Sequence, residues 1–322
     1  LHRPRHSFPT RRSSDLMDNI WQGRNDGDSP LHHRIFQRVE IAENYENILP
    51  NNFVLHGFAV DEGVRRNKGR VGAAKAPDII RKNMSNFPIV SPDFKLLDFG
   101  NITCEDQNLE KTQENLAEKV SKILQKNAKS IVLGGGHEVT FAHYSGIKKA
   151  FPNQKIGIIN LDAHFDNREP ENGVGASSGT GFWQIAQEGE IHSLHIGIQK
   201  NSNTLKLFDT AHQFGMKYIL ADEIFFENLP KIYQQIDELI LSVDQLYLTI
   251  CMDVFNVAIA PGVSAAAYNG IFADATFLHF YRHILKSEKL VALDVAEVNP
   301  EFDIAERTAR LAASLVNEWF MI

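Results

Sequence analysis

Residues 156–166 read Ile156-Gly157-Ile158-Ile159-Asn160-Leu161-Asp162-Ala163-His164-Phe165-Asp166. An apolar run ends there in three polar residues spaced two apart. The run lacks the polar/apolar alternation of a half-exposed strand, which predicts a strand, Ile156–Asp162, buried on both faces as in a parallel sheet. Seven further runs, most of them also continuous, predict strands at Phe53–Ala59, Leu96–Phe99, Ser130–Leu133, Ser193–Ile198, Tyr218–Leu220, Leu246–Met252 and Leu290–Val295. Helical spacing lies between them. Leu116, Val120 and Leu124 fall four apart within Leu109–Gln125, and Leu311, Leu315 and Trp319 do so within Ala305–Phe320. Strand–helix alternation predicts a three-layer α/β domain with right-handed crossovers. In such domains, ligands bind at the carboxyl ends of the strands.

Those ends carry the chemistry. In extended backbone Asp162, His164 and Asp166 project to one side, and two carboxylates with an imidazole suit a divalent metal. After Ile131-Val132-Leu133 comes Gly134-Gly135-Gly136-His137-Glu138, whose glycines permit a tight turn with φ > 0 and close backbone approach. Neither G-x-G-x-x-G nor a phosphate-loop lysine is present. Cys251 and Asp253 close the run beginning at Leu246, and Glu297 follows the last strand. Singly, each reads as well as a capped strand end, a loop histidine or, for Cys251, a small buried hydrophobe. Together, four strand ends each offer a metal-ligating group. Asp162, Asp166, Asp253 and an ionised Cys251 sum to −4, which two divalent ions would cancel.

The bulk numbers exclude other classes. A net charge of −7 argues against a nucleic-acid or basic membrane-binding face. No apolar run approaches the roughly 20 residues of a membrane span. The two cysteines, Cys104 and Cys251, are far apart, which predicts no disulfide framework and a reducing cytoplasm. Residues 1–16, rich in Arg and Ser, read as a non-native, disordered extension ahead of Met17. Residues 17–322 read as a single domain.

The motifs Gly134–Glu138, Asn160–Asp166, the strand around Cys251-Met252-Asp253 and the ending Glu297-Val298-Asn299-Pro300 resemble those of the ureohydrolases, the arginase and agmatinase family, in matching order. Trp21–Arg24, Gly63–Ala73, Ser177–Thr180 and Ala260–Ala265 are similar in particular to the branch that hydrolyses N-formimidoyl-L-glutamate. The resemblance implies an arginase-like fold with a largely parallel eight-stranded sheet, two manganese ions and a homo-oligomer. It implies that His137, Asp162, Asp166 and Cys251 hold one ion, and Asp162, His164, Cys251 and Asp253 the other. Glu297 would orient the cationic amidine, a hydroxide bridging the ions would attack it, and Asp166 would pass a proton to the leaving amine. Arg168, with Ser178 beside it, is the candidate for a substrate carboxylate. Arg66 and Arg70 are weaker candidates.

Two positions depart from the arginase pattern. Cys251 stands where arginases bridge with an aspartate, and Phe182 where arginase carries a proton-shuttling histidine. Two alternatives follow: a ureohydrolase acting on agmatine or guanidinobutyrate, and a metal-poor binding homologue impaired by Cys251.

Overall fold

The computed structural model describes residues 20–322; the expectations for residues 1–16 and Met17 lie outside them. All eight predicted strands form. They are β2 (Phe53–Ala59), β3 (Leu96–Thr103), β4 (Lys129–Leu133), β5 (Ile156–Leu161), β6 (His192–Ile198), β7 (Lys217–Leu220), β8 (Gln245–Cys251) and β9 (Leu290–Ala296). The expected count of eight is short by one. A strand β1 (Val39–Ile41) adds to one edge, giving nine strands among the described residues, in the order β1-β3-β2-β4-β9-β8-β5-β6-β7. Every pairing is parallel. β1 escapes a search for apolar runs because it is three residues long and only half-buried. β3 outruns its predicted end because its second half alternates buried and exposed residues.

The sheet separates two cores. Ile131 and Leu133 of β4 and Leu246, Leu248 and Ile250 of β8 face one side, with helices 76–84, 229–242, 275–285 and 307–320. Val132 and Tyr247 face the other, with helices 109–124, 139–150, 181–187 and 205–213. Central strands therefore have no water-facing side, which is why their sequences read as unbroken apolar runs. Each fully buried Leu or Ile contributes roughly 1.5–3 kcal/mol.

The helix predicted over 109–125 forms over Leu109–Leu124, capped by Asn108, whose side chain accepts from Lys111 N. The last helix begins two residues later than predicted, at Arg307. Ala305 and Glu306 hold φ of 53° and 56°, and Asp303 takes the free N–H groups of Thr308 and Ala309. Trp21, in the segment before β1, donates to Asp98 Oδ2 at 2.7 Å, and the buried Arg81 grips the same carboxylate. No helix among the described residues is long and apolar enough to cross a membrane.

Candidate functional site

From β4 the chain skips two strand positions to β5, continues outward through β6 to β7, and then reverses, so that β8 and β9 fill the gap between β5 and β4. The four polar motifs thus follow four adjacent central strands, β4, β9, β8 and β5. Such a reversal point is where open α/β sheets place their binding sites.

The glycine run after β4 is shaped by crowding and not by turn geometry. None of Gly134, Gly135 and Gly136 takes a positive φ, contrary to the expectation of a φ > 0 turn. Instead Gly136 N donates to Val60 O at 2.9 Å, Gly134 N to Val295 O at 2.7 Å, and Glu297 N to Gly135 O at 2.8 Å. A Cβ on Gly135 would lie 1.7 Å from Val60 O. The run thereby locks His137 and Glu297 together, and Glu297 Oε1 accepts from His137 N at 2.9 Å.

The donors after β5 and β8 converge through turns, not through the extended backbone expected. Asp162 Oδ1 accepts from its own His164 N at 2.8 Å, and Asp166 is held at φ 45°. Met252–Val254 forms a short 3-10 turn that brings Asp253 around beside His164.

One donor atom each of His137, Asp162 and Cys251 lies within 4.8 Å of the others, and so does one each of Asp162, His164 and Asp253. The two sets share Asp162. His137 Nδ1 is 3.1 Å from Asp162 Oδ2 and 2.9 Å from Asp166 Oδ2, which places Asp166 at the margin of the first set. His164 Nδ1 is 3.2 Å from Asp253 Oδ2. Cys251 groups with the first set only. Asp253 Oδ1 is buried without a hydrogen-bond partner among the described residues, an unsatisfied carboxylate oxygen in a cluster of imidazoles, carboxylates and a thiol. This donor set fits two divalent cations sharing a ligand.

The electrostatics are those of crowded acids. Burial, with the fields of Asp162, Asp253, Glu297 and Asp166, pushes the Cys251 thiol well above its ordinary range. Burial and the neighbouring Asp162 raise Asp166, and burial with Glu138 and Asp253 raises Glu297. Burial opposes charge on His137 and His164, but the carboxylates beside them win and hold both well above the usual imidazole value. The acids that raise one another also raise the two imidazoles, so the cluster favours bound positive charge.

A buried network behind His137 fixes its orientation. Thr249 donates its one proton to Asp294 Oδ1 at 2.6 Å, so Thr249 Oγ1 can only accept from His137 Nε2, 2.9 Å away. Nδ1 is then the nitrogen left for the acids and for a cation. Asp294 Oδ2 meets His143 Nδ1 at 2.7 Å and the Tyr247 hydroxyl. Behind Asp162, Asn160 Nδ2 links its Oδ2 to His195 Nδ1, at 3.3 and 3.1 Å.

The donors open onto a cleft of about 320 Å³ lined by His164, Asp166 and Asp253 and, further out, by Glu297, Arg168 and Ser178. Arg168, Ser178 and Glu297 therefore line one cavity, and Arg66 does not. Arg168 is exposed and makes no ion pair among the described residues. Arg66 is consumed by Glu62, Glu110 and the Ala176 carbonyl, and Arg70 by the carbonyls of Val263 and Ser264, with Phe302 beneath it. Arg66 is thereby committed within the chain, and Arg70 is anchored to the wall of the cleft. Phe182 is buried edge-on against His195 and offers no proton. Sequence reasoning assigned no role to Asn67, Lys68, Ser202 or Ser264, which also line the cleft. Asn67 Nδ2 donates to Ser178 Oγ at 3.2 Å, tying the 63–73 segment to the wall that holds Ser178. Glu138 ties the same segment to the glycine run by accepting from Gly63 N at 2.8 Å, and its burial pushes its pKa up to about 8.

Known proteins share this fold and much of this sequence. The formimidoylglutamase of Clostridium tetani is 41% identical over 315 residues, 93% of each chain. The crystal structure of formimidoylglutamase from Bacillus subtilis shares the fold, with a TM-score of 0.81 at 21% identity, over 95% of this chain and 97% of that one. A Trypanosoma cruzi formiminoglutamase whose crystal structure was determined with Mn2+ is similar at a TM-score of 0.79 and 24% identity, over 90% and 97%. The arginase family profile matches residues 51–322, and the chain belongs to the arginase family.

Proposed function

We propose that this chain hydrolyses the amidine C–N bond of N-formimidoyl-L-glutamate, giving L-glutamate and formamide, with two divalent ions, most simply Mn2+, held by His137, Asp162, His164, Asp166, Cys251 and Asp253. Bound there, two such ions supply a hydroxide nucleophile near neutral pH. Glu297 presents its free oxygen to the cleft while its other oxygen is pinned by His137 N, which suits it to pair with the cationic amidine. Asp166, raised by burial and by Asp162, is suited to hold a proton and pass it to the departing amine. Arg168 takes a substrate carboxylate through its planar fork, with Ser178 as a hydroxyl donor beside it.

The observation that carries this reading is an uncommitted guanidinium on the wall of the donor cleft. Agmatine has no carboxylate and would bring a second cation toward it. We infer in addition a homo-oligomer working in the cytoplasm.

The test is turnover of N-formimidoyl-L-glutamate with Mn2+, Zn2+ or Fe2+ added separately, following glutamate and formamide together. Urea release from agmatine or guanidinobutyrate runs alongside. Arg168→Ala should raise KM far more than it lowers kcat. A fall in kcat with KM unchanged removes Arg168 from carboxylate binding.

A further inference from the structure

We propose that Lys68 is a specificity residue, receiving the side-chain carboxylate of the substrate while Arg168 takes the carboxylate next to the amidine. The inference rests on the proposed substrate, a dicarboxylate, which calls for two cationic partners. Among the described residues, three lysine or arginine side chains line the cleft: Lys68, Arg70 and Arg168. The Arg70 guanidinium is anchored by Nε and Nη2 to the carbonyls of Ser264 and Val263 and lies over the Phe302 ring, which fixes it against that wall. Lys68 and Arg168 are the two whose side chains make no hydrogen bond among the described residues.

Lys68 is placed for this task. Its backbone is pinned: Asn67 N, Lys68 N and Gly69 N donate to Gly63 O, Arg65 O and Val64 O at 2.9, 3.0 and 2.9 Å. Its neighbours are committed, Asn67 to Ser178 and Arg70 to Ser264. Lys68 itself holds φ 61°, the left-handed region that a side chain adopts at a cost and glycine adopts freely. Its side chain is 80% exposed, so packing does not account for a lysine there. Its one ion pair among the described residues, to Glu171 at 3.6 Å, joins two exposed groups and is readily exchanged for a ligand carboxylate.

The geometry of the substrate divides the work. The carboxylate beside the amidine is tethered to the carbon that bears the reacting nitrogen, so it stays near the donors, where Arg168 follows Asp166 by two residues. The side-chain carboxylate ends a longer arm and reaches the solvent side of the cleft, where Lys68 stands.

The experiment compares KM and kcat of the metal-loaded full chain for N-formimidoyl-L-glutamate and for N-formimidoyl-L-glutamine, whose side chain ends in a neutral amide. Lys68→Met should raise KM for the first about fivefold, the upper range for an exposed ion pair, with kcat unchanged. It should leave KM for the second unchanged, and Lys68→Arg should restore the first. Glu171→Gln, which removes the competing carboxylate, should lower KM for the glutamate substrate. An unchanged KM in Lys68→Met, or an equal rise for both substrates, overturns the assignment. Failure of the wild-type chain to turn over N-formimidoyl-L-glutamate overturns the proposed function and this inference with it, and is read before any variant is made.

Discussion

Thr249→Val replaces a hydroxyl by a methyl of nearly the same shape, and the structure says what that one atom holds. Thr249 Oγ1 lies 2.9 Å from His137 Nε2 and 2.6 Å from Asp294 Oδ1. All three residues are buried. Valine leaves the imidazole N–H without this acceptor and Asp294 Oδ1 without its one donor among the described residues. Each buried group left unsatisfied costs about 1–3 kcal/mol, or about 2–6 kcal/mol for the pair. Thr140 Oγ1, 3.3 Å from the lost oxygen, can recover part of this, so the lower half of that range is expected. In a chain this long that corresponds to a fall in Tm of about 3–6 °C. With the imidazole no longer oriented, divalent-cation affinity should fall about 10- to 100-fold, the usual effect of losing a ligand's hydrogen-bond partner. Calorimetric unfolding without metal and chelator competition with Mn2+ measure the two effects separately. Thr249→Ser keeps the hydroxyl and should bind metal nearly as wild type. If valine and serine variants behave alike in both assays, Thr249 does not orient His137.

Two further perturbations test the frame around the site. His195 is buried and held down to about 3, against about 6.5 in an unfolded chain. Between those values the unfolded chain binds the extra proton, so stability falls as pH drops below 6.5, by up to about 1.4 kcal/mol per unit. Denaturant unfolding at pH 6.5 and 5 should show wild type losing about 2 kcal/mol more than His195→Gln; equal losses mean that His195 is not the group responsible. Gly135→Ala forces a Cβ to within 1.7 Å of Val60 O, a backbone atom that cannot swing aside. A loss of about 3 kcal/mol or more is expected, together with weaker metal binding, because Gly135 O holds Glu297, whose carboxylate in turn holds the backbone of His137. A variant with wild-type Tm would show that the run can relax and that its crowding is not structural.

How much of this was legible in the sequence follows from what each residue's environment permits. A strand buried on both faces is apolar along most of its length, so the central strands β4, β5, β8 and β9 announced themselves, while β1, half-exposed at the edge, left no such mark. Acids at the end of a buried run are costly unless compensated, so Asp162, Asp166 and Asp253 pointed to cations before any geometry was known. The turns that gather them did not show, because the Asp162–His164 turn and the left-handed backbone at Asp166 and Glu297 depend on tertiary packing around residues that elsewhere favour other conformations.

Asp294 is the instructive case. It lies inside an apolar run that is fully buried, and a buried carboxylate must have partners. The demand was visible in one dimension, but its answer was not. β8 pairs with β9 so that Thr249 sits directly beside Asp294, 45 residues away in the chain, and the register of β4 places Val132 beside Asp294 on the other side. One strand slip would turn Asp294 away from Thr249 and release His137. The metal-ligand geometry at the strand tips is therefore a consequence of register set within the sheet. It follows that a substitution deep in β8 or β9, remote from any ligand, can weaken cation binding as effectively as one at the tips.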